Sequence, residues 1–186
     1  MSDHIQPREY NRIERSHKGF SLIELLVVVA IILIIAAIAI PELLSARIAA
    51  NEAAAAENVR TITTASMAYS STYQNGFPPN LATLGGPSGA LATCDQAILL
   101  DSLIATPPYT TSGFTFAYTA VGASVTGTPG CSTPGTNAYL VTAIPVNRYV
   151  TGIRSFCSDE PGTIHVDISG VLAGSQNACE ALPILQ

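Results

Sequence analysis

Glu24 is the lone acid in residues 19–40, GFSLIELLVVVAIILIIAAIAI. A carboxylate in so apolar a run is expensive, on the order of 3 kcal/mol near a bilayer centre, so it needs a partner of opposite charge. Elsewhere the reactive residue types are sparse. Cys94, Cys131, Cys157 and Cys179 form no C-x-x-C pair, and His165 is the only histidine beyond residue 19, so zinc ligation is not expected. An even set of widely spaced cysteines reads instead as two disulfides. Three pairings are open; Cys94–Cys131 with Cys157–Cys179 is preferred because each closes a local segment. His165 and Asp167 share a strand face by their spacing and read as solvent-facing strand residues rather than a metal site. No G-x-S-x-G, P-loop, Rossmann glycine pattern or H-E-x-x-H occurs, so no catalytic residue, metal or cofactor is expected.

A helix over Phe20 to Ile40 would span roughly 31 Å at about 1.5 Å per residue, close to the thickness of a bilayer core. Arg15 and Lys18 flank its N-terminal end, which keeps that end cytoplasmic by the positive-inside preference. A secretory signal would have a shorter apolar region followed by a small-residue cleavage site, and neither is present.

Lys18-Gly19-Phe20-Ser21-Leu22-Ile23-Glu24 resembles the class III signal of type IV pilins and pseudopilins. The resemblance implies cleavage between Gly19 and Phe20 by prepilin peptidase and N-methylation of Phe20. It implies that Glu24 meets the Phe20 amine of a neighbouring subunit and sets the stagger of a helical filament, a register role open to buried ion pairs. A contact with its own Phe20 within the first helical turn is the intramolecular alternative. The resemblance further implies a homo-oligomer built from the inner membrane by an assembly ATPase and a membrane platform. A Cys157–Cys179 bond would match the C-terminal disulfide loop of many pilins.

Pro41 removes one backbone hydrogen bond and crowds the carbonyl of Ala37, which predicts a kink. In assembled pili of the resembled family this segment is often unwound, which gives Pro41 an assembly role. Helix then resumes from Glu42 to about Tyr73. Its stripe of Ile48, Ala55, Val59, Ile62, Tyr69 and Tyr73 should face a sheet, with Glu42, Glu52 and Glu57 on the solvated or intersubunit side. Asn75-Gly76-Phe77-Pro78-Pro79 stops the helix, and Leu81 and Leu84 tuck the next loop against it. Asp95 is expected to cap a short helix over 96–104. Strands are expected at 114–119, 137–146, 152–157 and 164–168, with Asp159-Glu160-Pro161-Gly162 turning the third into the fourth. Residues 122–135, GASVTGTPGCSTPG, read as an exposed loop.

The expected class is α+β: a long N-terminal helix, half transmembrane and half amphipathic, packed on a small antiparallel sheet. The organisation is a cleaved leader at 1–19, a transmembrane and assembly helix at 20–40, and an exported head at 41–186 with its amphipathic helix at 42–73. Beyond residue 19 there are four arginines (47, 60, 148 and 154) against ten acids, net −6, which argues against general nucleic-acid binding. The reading is a structural pilus subunit, held in the inner membrane before assembly and in a surface or periplasmic filament after it. A type II secretion pseudopilin is the alternative. That family often binds calcium in an Asp-rich C-terminal loop, which is not evident around Asp159 and Glu160. Further off stand a monomeric membrane-anchored binding domain and an envelope enzyme on a pilin-type stem.

Overall fold

A computed structural model describes residues 19–87, 89–125, 129–171 and 174–185. The expected leader at 1–19 lies outside the described residues except for Gly19. The chain divides into two compact units, one ending at Pro41 and one starting at Glu42. One helix, α1 (Leu22–Tyr73), contributes to both and carries Pro41 inside it. The helix assignment runs through Pro41 rather than restarting at Glu42, because loss of a single N–H donor leaves the neighbouring hydrogen bonds in place.

In the first unit α1 starts two residues after Phe20, with the Ser21 carbonyl accepting from the Leu25 amide at 3.2 Å. No residue in its most apolar 18-residue window is buried within the molecule. Branched aliphatic residues lie on every side of this stretch and have nothing to pack on inside the molecule.

The second unit is the α+β head. After α1 come a 3-10 turn (Leu81–Leu84), α2 (Ser102–Ala105), β1 (Thr110–Thr111), β2 (Phe114–Ser124), β3 (Thr136–Pro145), β4 (Ser155–Asp159), β5 (Ile164–Asp167) and α3 (Gln176–Glu180). The five strands form an antiparallel sheet in sequential order β1-β2-β3-β4-β5. Registers such as Phe116 opposite Ala143 and Ala143 opposite Phe156 put alternate residues on one face. That face carries Phe114, Phe116, Tyr139, Val141, Phe156 and Val166, which join Ala55, Val59, Ile62 and Tyr69 of α1 in one core. The expected stripe therefore faces the sheet, with Ile48 and Tyr73 only half-buried at its ends.

Several local expectations are corrected. Asp95 caps no helix. Asp101 caps the shorter α2 through a bond from the Leu103 amide, and Asp95 instead accepts from the Ser132 amide and hydroxyl. Glycine at 122, with φ +83°, forms a bulge where the β2–β3 register shifts, so residues 122–124 extend β2 instead of opening the loop.

The second face of the sheet is covered, which alters the reading of β5. Disulfides join Cys94 to Cys131 and Cys157 to Cys179. The latter holds α3 against the outer face, where Leu140, Cys157 and Cys179 form a small second core with Val121 and Leu182. Beyond α3 the chain adds to the free edge of β5, with Val166 N bonded to Pro183 O and Leu185 N to Ile164 O, each at 2.8 Å. His165 and Asp167, expected to face solvent, are buried, His165 against the returning chain at Leu182. Strand β5 ends at Asp167, which leaves Ile168 exposed rather than in the core.

Candidate assembly site and head-domain supports

The candidate assembly site is the start of α1. Ser21 precedes the first helical residue and Glu24 stands third within the helix, the S-x-x-E spacing of a capping box. An acid in the first turn complements the helix dipole. The apolar-run argument missed this spacing, although the S-x-x-E signal was open in the sequence. Phe20, Leu22 and Ile23 around it are all exposed. Gly19 has open space around its missing side chain, and among the described residues nothing of the protein crowds that peptide bond. Gly19, Phe20 and Glu24 are thus contiguous and accessible, while Pro41 lies far along the same helix.

In the head, the residue most at odds with expectation is Glu52. It is 5% exposed and accepts from the Ile153 and Arg154 amides at 2.8 and 2.9 Å and from Arg154 Nε at 2.8 Å. Burial pushes its pKa up, but the two amide bonds and the guanidinium outweigh burial and hold it below its ordinary value of 4.5. Spacing could have found it: residues 52, 55, 59 and 62 fall at steps of 3, 4 and 3, so Glu52 lies on the buried stripe. Glu57 is exposed and bonded to Arg60 at 2.8 Å, a surface pair of little energetic weight.

Because Glu52 ties α1 to the entry of β4, Glu52→Ala is expected to destabilise the head by about 3 kcal/mol, as three donors lose their acceptor. Its folded pKa lies below the unfolded one. The contribution is therefore present above about pH 4.5 and lost as pH falls through the folded value. Thermal melts of wild type and variant at pH 7 and pH 3 should differ clearly at the first and by less at the second. A gap of equal size at both pH values would rule the tether out.

His165 and Asp167 do not act as a pair. His165 Nδ1 lies 2.8 Å from the Leu182 carbonyl, and Asp167 accepts from the Ser169 amide at 2.7 Å. Among the described residues no group of three or more His, Cys, Asp or Glu is placed to hold a metal ion. Asp159 is a contrasting case, 1% exposed with the Glu180 carboxyl as its side-chain neighbour. Burial and the neighbouring Glu180 carboxyl push its pKa up, against a smaller opposing effect of His165.

A family described as the prokaryotic N-terminal methylation motif matches residues 15–40. Over 38 residues the chain is 63% identical to the type IV wide pilus major component PilA4 of Thermus thermophilus, a stretch that is 20% of this chain and 29% of that protein's length. The likeness is confined to that stretch, and no solved structure matches the chain. The protein thus carries the prepilin-type N-terminal methylation motif, on a segment similar to that of a type IV pilin.

Proposed function

We propose that the chain is a structural subunit of a type IV pilus filament. One observation carries this reading: the methylation motif abuts an apolar helix whose most apolar stretch finds no burial inside the protein. Residues 1–19 are a leader that prepilin peptidase removes, and Phe20 becomes the N-methylated first residue. Residues 20–40 hold the subunit in the inner membrane and then form the filament core, with Glu24 setting register and Pro41 permitting local unwinding. The head from residue 41 is exported and covers the fibre surface. Polymerisation draws on an assembly ATPase and a membrane platform. The chain's part in this is structural, with no reaction of its own. The pilus reading is preferred to a secretion pseudopilus because the similar protein is itself a pilus component.

Processing provides the direct test. Intact-mass measurement or N-terminal sequencing of membrane-extracted protein is expected to show methyl-Phe20 first. Gly19→Leu should leave the leader attached, because a side chain there obstructs approach of the peptidase to the backbone. Retention of residues 1–19 in the native protein, or a mature start elsewhere, would overturn this reading.

A further inference from the structure

The β3–β4 loop, residues 146–154, presents apolar side chains to solvent from a closely bonded backbone. The Asn147 carbonyl accepts from the Val150 and Thr151 amides at 3.1 and 2.9 Å, and the Gly152 carbonyl accepts from the Tyr149 amide at 2.8 Å. Thr151 and Ile153 are tied to α1 through Asn51 and Glu52. Yet Val146, Tyr149, Val150 and Ile153 are 38–61% exposed. Ile168, 72% exposed, joins them, because Arg148 Nη2 donates to its carbonyl at 3.4 Å. Tyr149 holds φ at +67°, a left-handed conformation uncommon for a bulky side chain. No burial of the ring offsets that strain, and strain of this kind collects at working surfaces.

Chain connectivity fixes where this loop works. Val150 and Thr151 line a groove with Leu44, Arg47 and Asn51 of α1. Leu44 is four residues beyond Ile40, the last residue of the apolar run. Four residues of fully extended chain span at most about 14 Å, so the Leu44 wall of the groove stays within that distance of the end of the run however the chain bends there. The headgroup zone on each side of a bilayer core is about 5–8 Å deep. The loop is therefore within reach of the surface of any membrane that residues 20–40 span. Its charge suits such a surface. Arg47 lines the groove, and Arg148 lies over the Tyr149 ring, 4.8 Å from its centroid. Neither forms a salt bridge among the described residues, whereas Arg60 and Arg154 do. Against them residues 42–51 carry one acid, Glu42.

We propose that the β3–β4 loop, with Ile168, docks on the anionic lipid interface of the membrane that residues 20–40 span, a contact that rests on the membrane-anchored reading above. Tyrosine and aliphatic side chains suit the boundary between headgroups and acyl chains. Arginine lays its stem along such apolar groups and sets its guanidinium on lipid phosphates, where the planar donors bond two oxygens at once. With ten acids against four arginines beyond residue 19, most other faces of the head are repelled by anionic lipid, so one orientation is selected. The contact is intramolecular in effect. The bilayer is joined to the groove through four residues, so its effective concentration at the loop is high and little intrinsic affinity is needed. A second copy of the chain is the weaker occupant, because it has no such tether. Docking holds the head in one orientation on the membrane while the subunit awaits assembly.

The chain has no tryptophan, so Tyr149→Trp in the full-length protein introduces a single emitter at an exposed position. The protein is inserted into vesicles of phosphatidylcholine with phosphatidylglycerol, or of phosphatidylcholine alone, the phosphatidylcholine brominated high on its acyl chains. In the anionic vesicles the emission is expected to be blue-shifted and quenched by the brominated lipid. Leu91→Trp, at an 88% exposed site outside the loop, should stay unquenched. Quenching should fall in phosphatidylcholine alone. Arg148→Glu and Arg47→Glu, each combined with Tyr149→Trp, should lower the docked population at least about fivefold, the weight of one cation near an anionic surface. Arg47→Glu repeats the test without touching the Arg148–Ile168 bond. No quenching in anionic vesicles with which the chain co-floats would overturn the docking and leave the anchor standing. Quenching equal in the two lipids, or unmoved by both charge reversals, would overturn it too. A blue shift that comes without quenching and fades as protein per vesicle is lowered would assign the loop to a second copy instead. A chain that does not float with vesicles removes the anchored reading and the docking with it.

Discussion

Glu24→Ala is expected to abolish fibres or nearly so while leaving processed subunit in the membrane at its normal level. Within one chain Glu24 does little: an acid in the first turn of a helix contributes about 0.3–1 kcal/mol through the dipole. The core of the head is built from residues 55 to 166 and does not include it. Its weight falls on assembly. An incoming Phe20 amine buried among apolar helices without a carboxylate costs about 3–5 kcal/mol per contact. Repeated at every subunit addition, that cost stops elongation. Glu24→Gln should be intermediate at best, since it accepts a hydrogen bond but brings no charge. The measurement is electron microscopy and quantitation of sheared fibres, with a blot of the membrane for mature subunit. Normal fibre numbers in the alanine variant would remove the filament reading and favour a monomeric membrane-anchored domain. Loss of the subunit itself would point to a role for Glu24 in insertion or processing instead.

Legibility in the sequence followed the range of the interactions. The start of α1, its apolar half and the stripe at Ala55, Val59 and Ile62 are local patterns, and all three could be read directly. The strands at Phe114, Thr136 and Ile164 were legible because alternation and the Asp159–Gly162 turn are also local, whereas the third, expected at 152–157, runs from Ser155 to Asp159. What failed was long-range. Period-2 alternation at His165 and Asp167 says only that they lie opposite Ile164 and Val166. It does not say that the last residues of the chain return to cover that face. Glu52 was misplaced because a charged residue on a buried stripe is improbable until its partner is known, and Arg154 lies 102 positions away. Asp95 offered a good cap to a helix that tertiary contacts moved further along the chain, to Ser102. Gly19, Phe20 and Glu24, proposed for processing and assembly, are exposed in the single chain. The chemistry there is between molecules, so a single chain displays accessible groups rather than an assembled pair.

Loss of the Cys157–Cys179 bond should have the largest effect on the head. A cross-link over 22 residues stabilises by about 3 kcal/mol in the chain-entropy model. For a head of this size that corresponds to a fall in melting temperature of roughly 10 °C. Position adds to the entropic term. Cys157 and Cys179 are both fully buried and anchor the second core with Leu140. Freed from β4, α3 would leave the strap to Leu182, Leu185, the His165–Leu182 contact and the backbone bonds of residues 183–185. Paired Cys157→Ala and Cys179→Ala should therefore raise hydrogen exchange selectively at β5, whose edge amides bond to the strap. The equivalent change at Cys94 and Cys131 removes a longer loop constraint, over 37 residues, and should lower stability by a similar amount. It should leave β5 protected, because Cys94 packs with the main core and Cys131 borders it. The two double variants, melted and exchanged side by side in the mature protein, separate global stabilisation from local closure. Equal exchange at β5 in both would show that the strap stays docked without its disulfide, and that the bond acts on the unfolded chain alone.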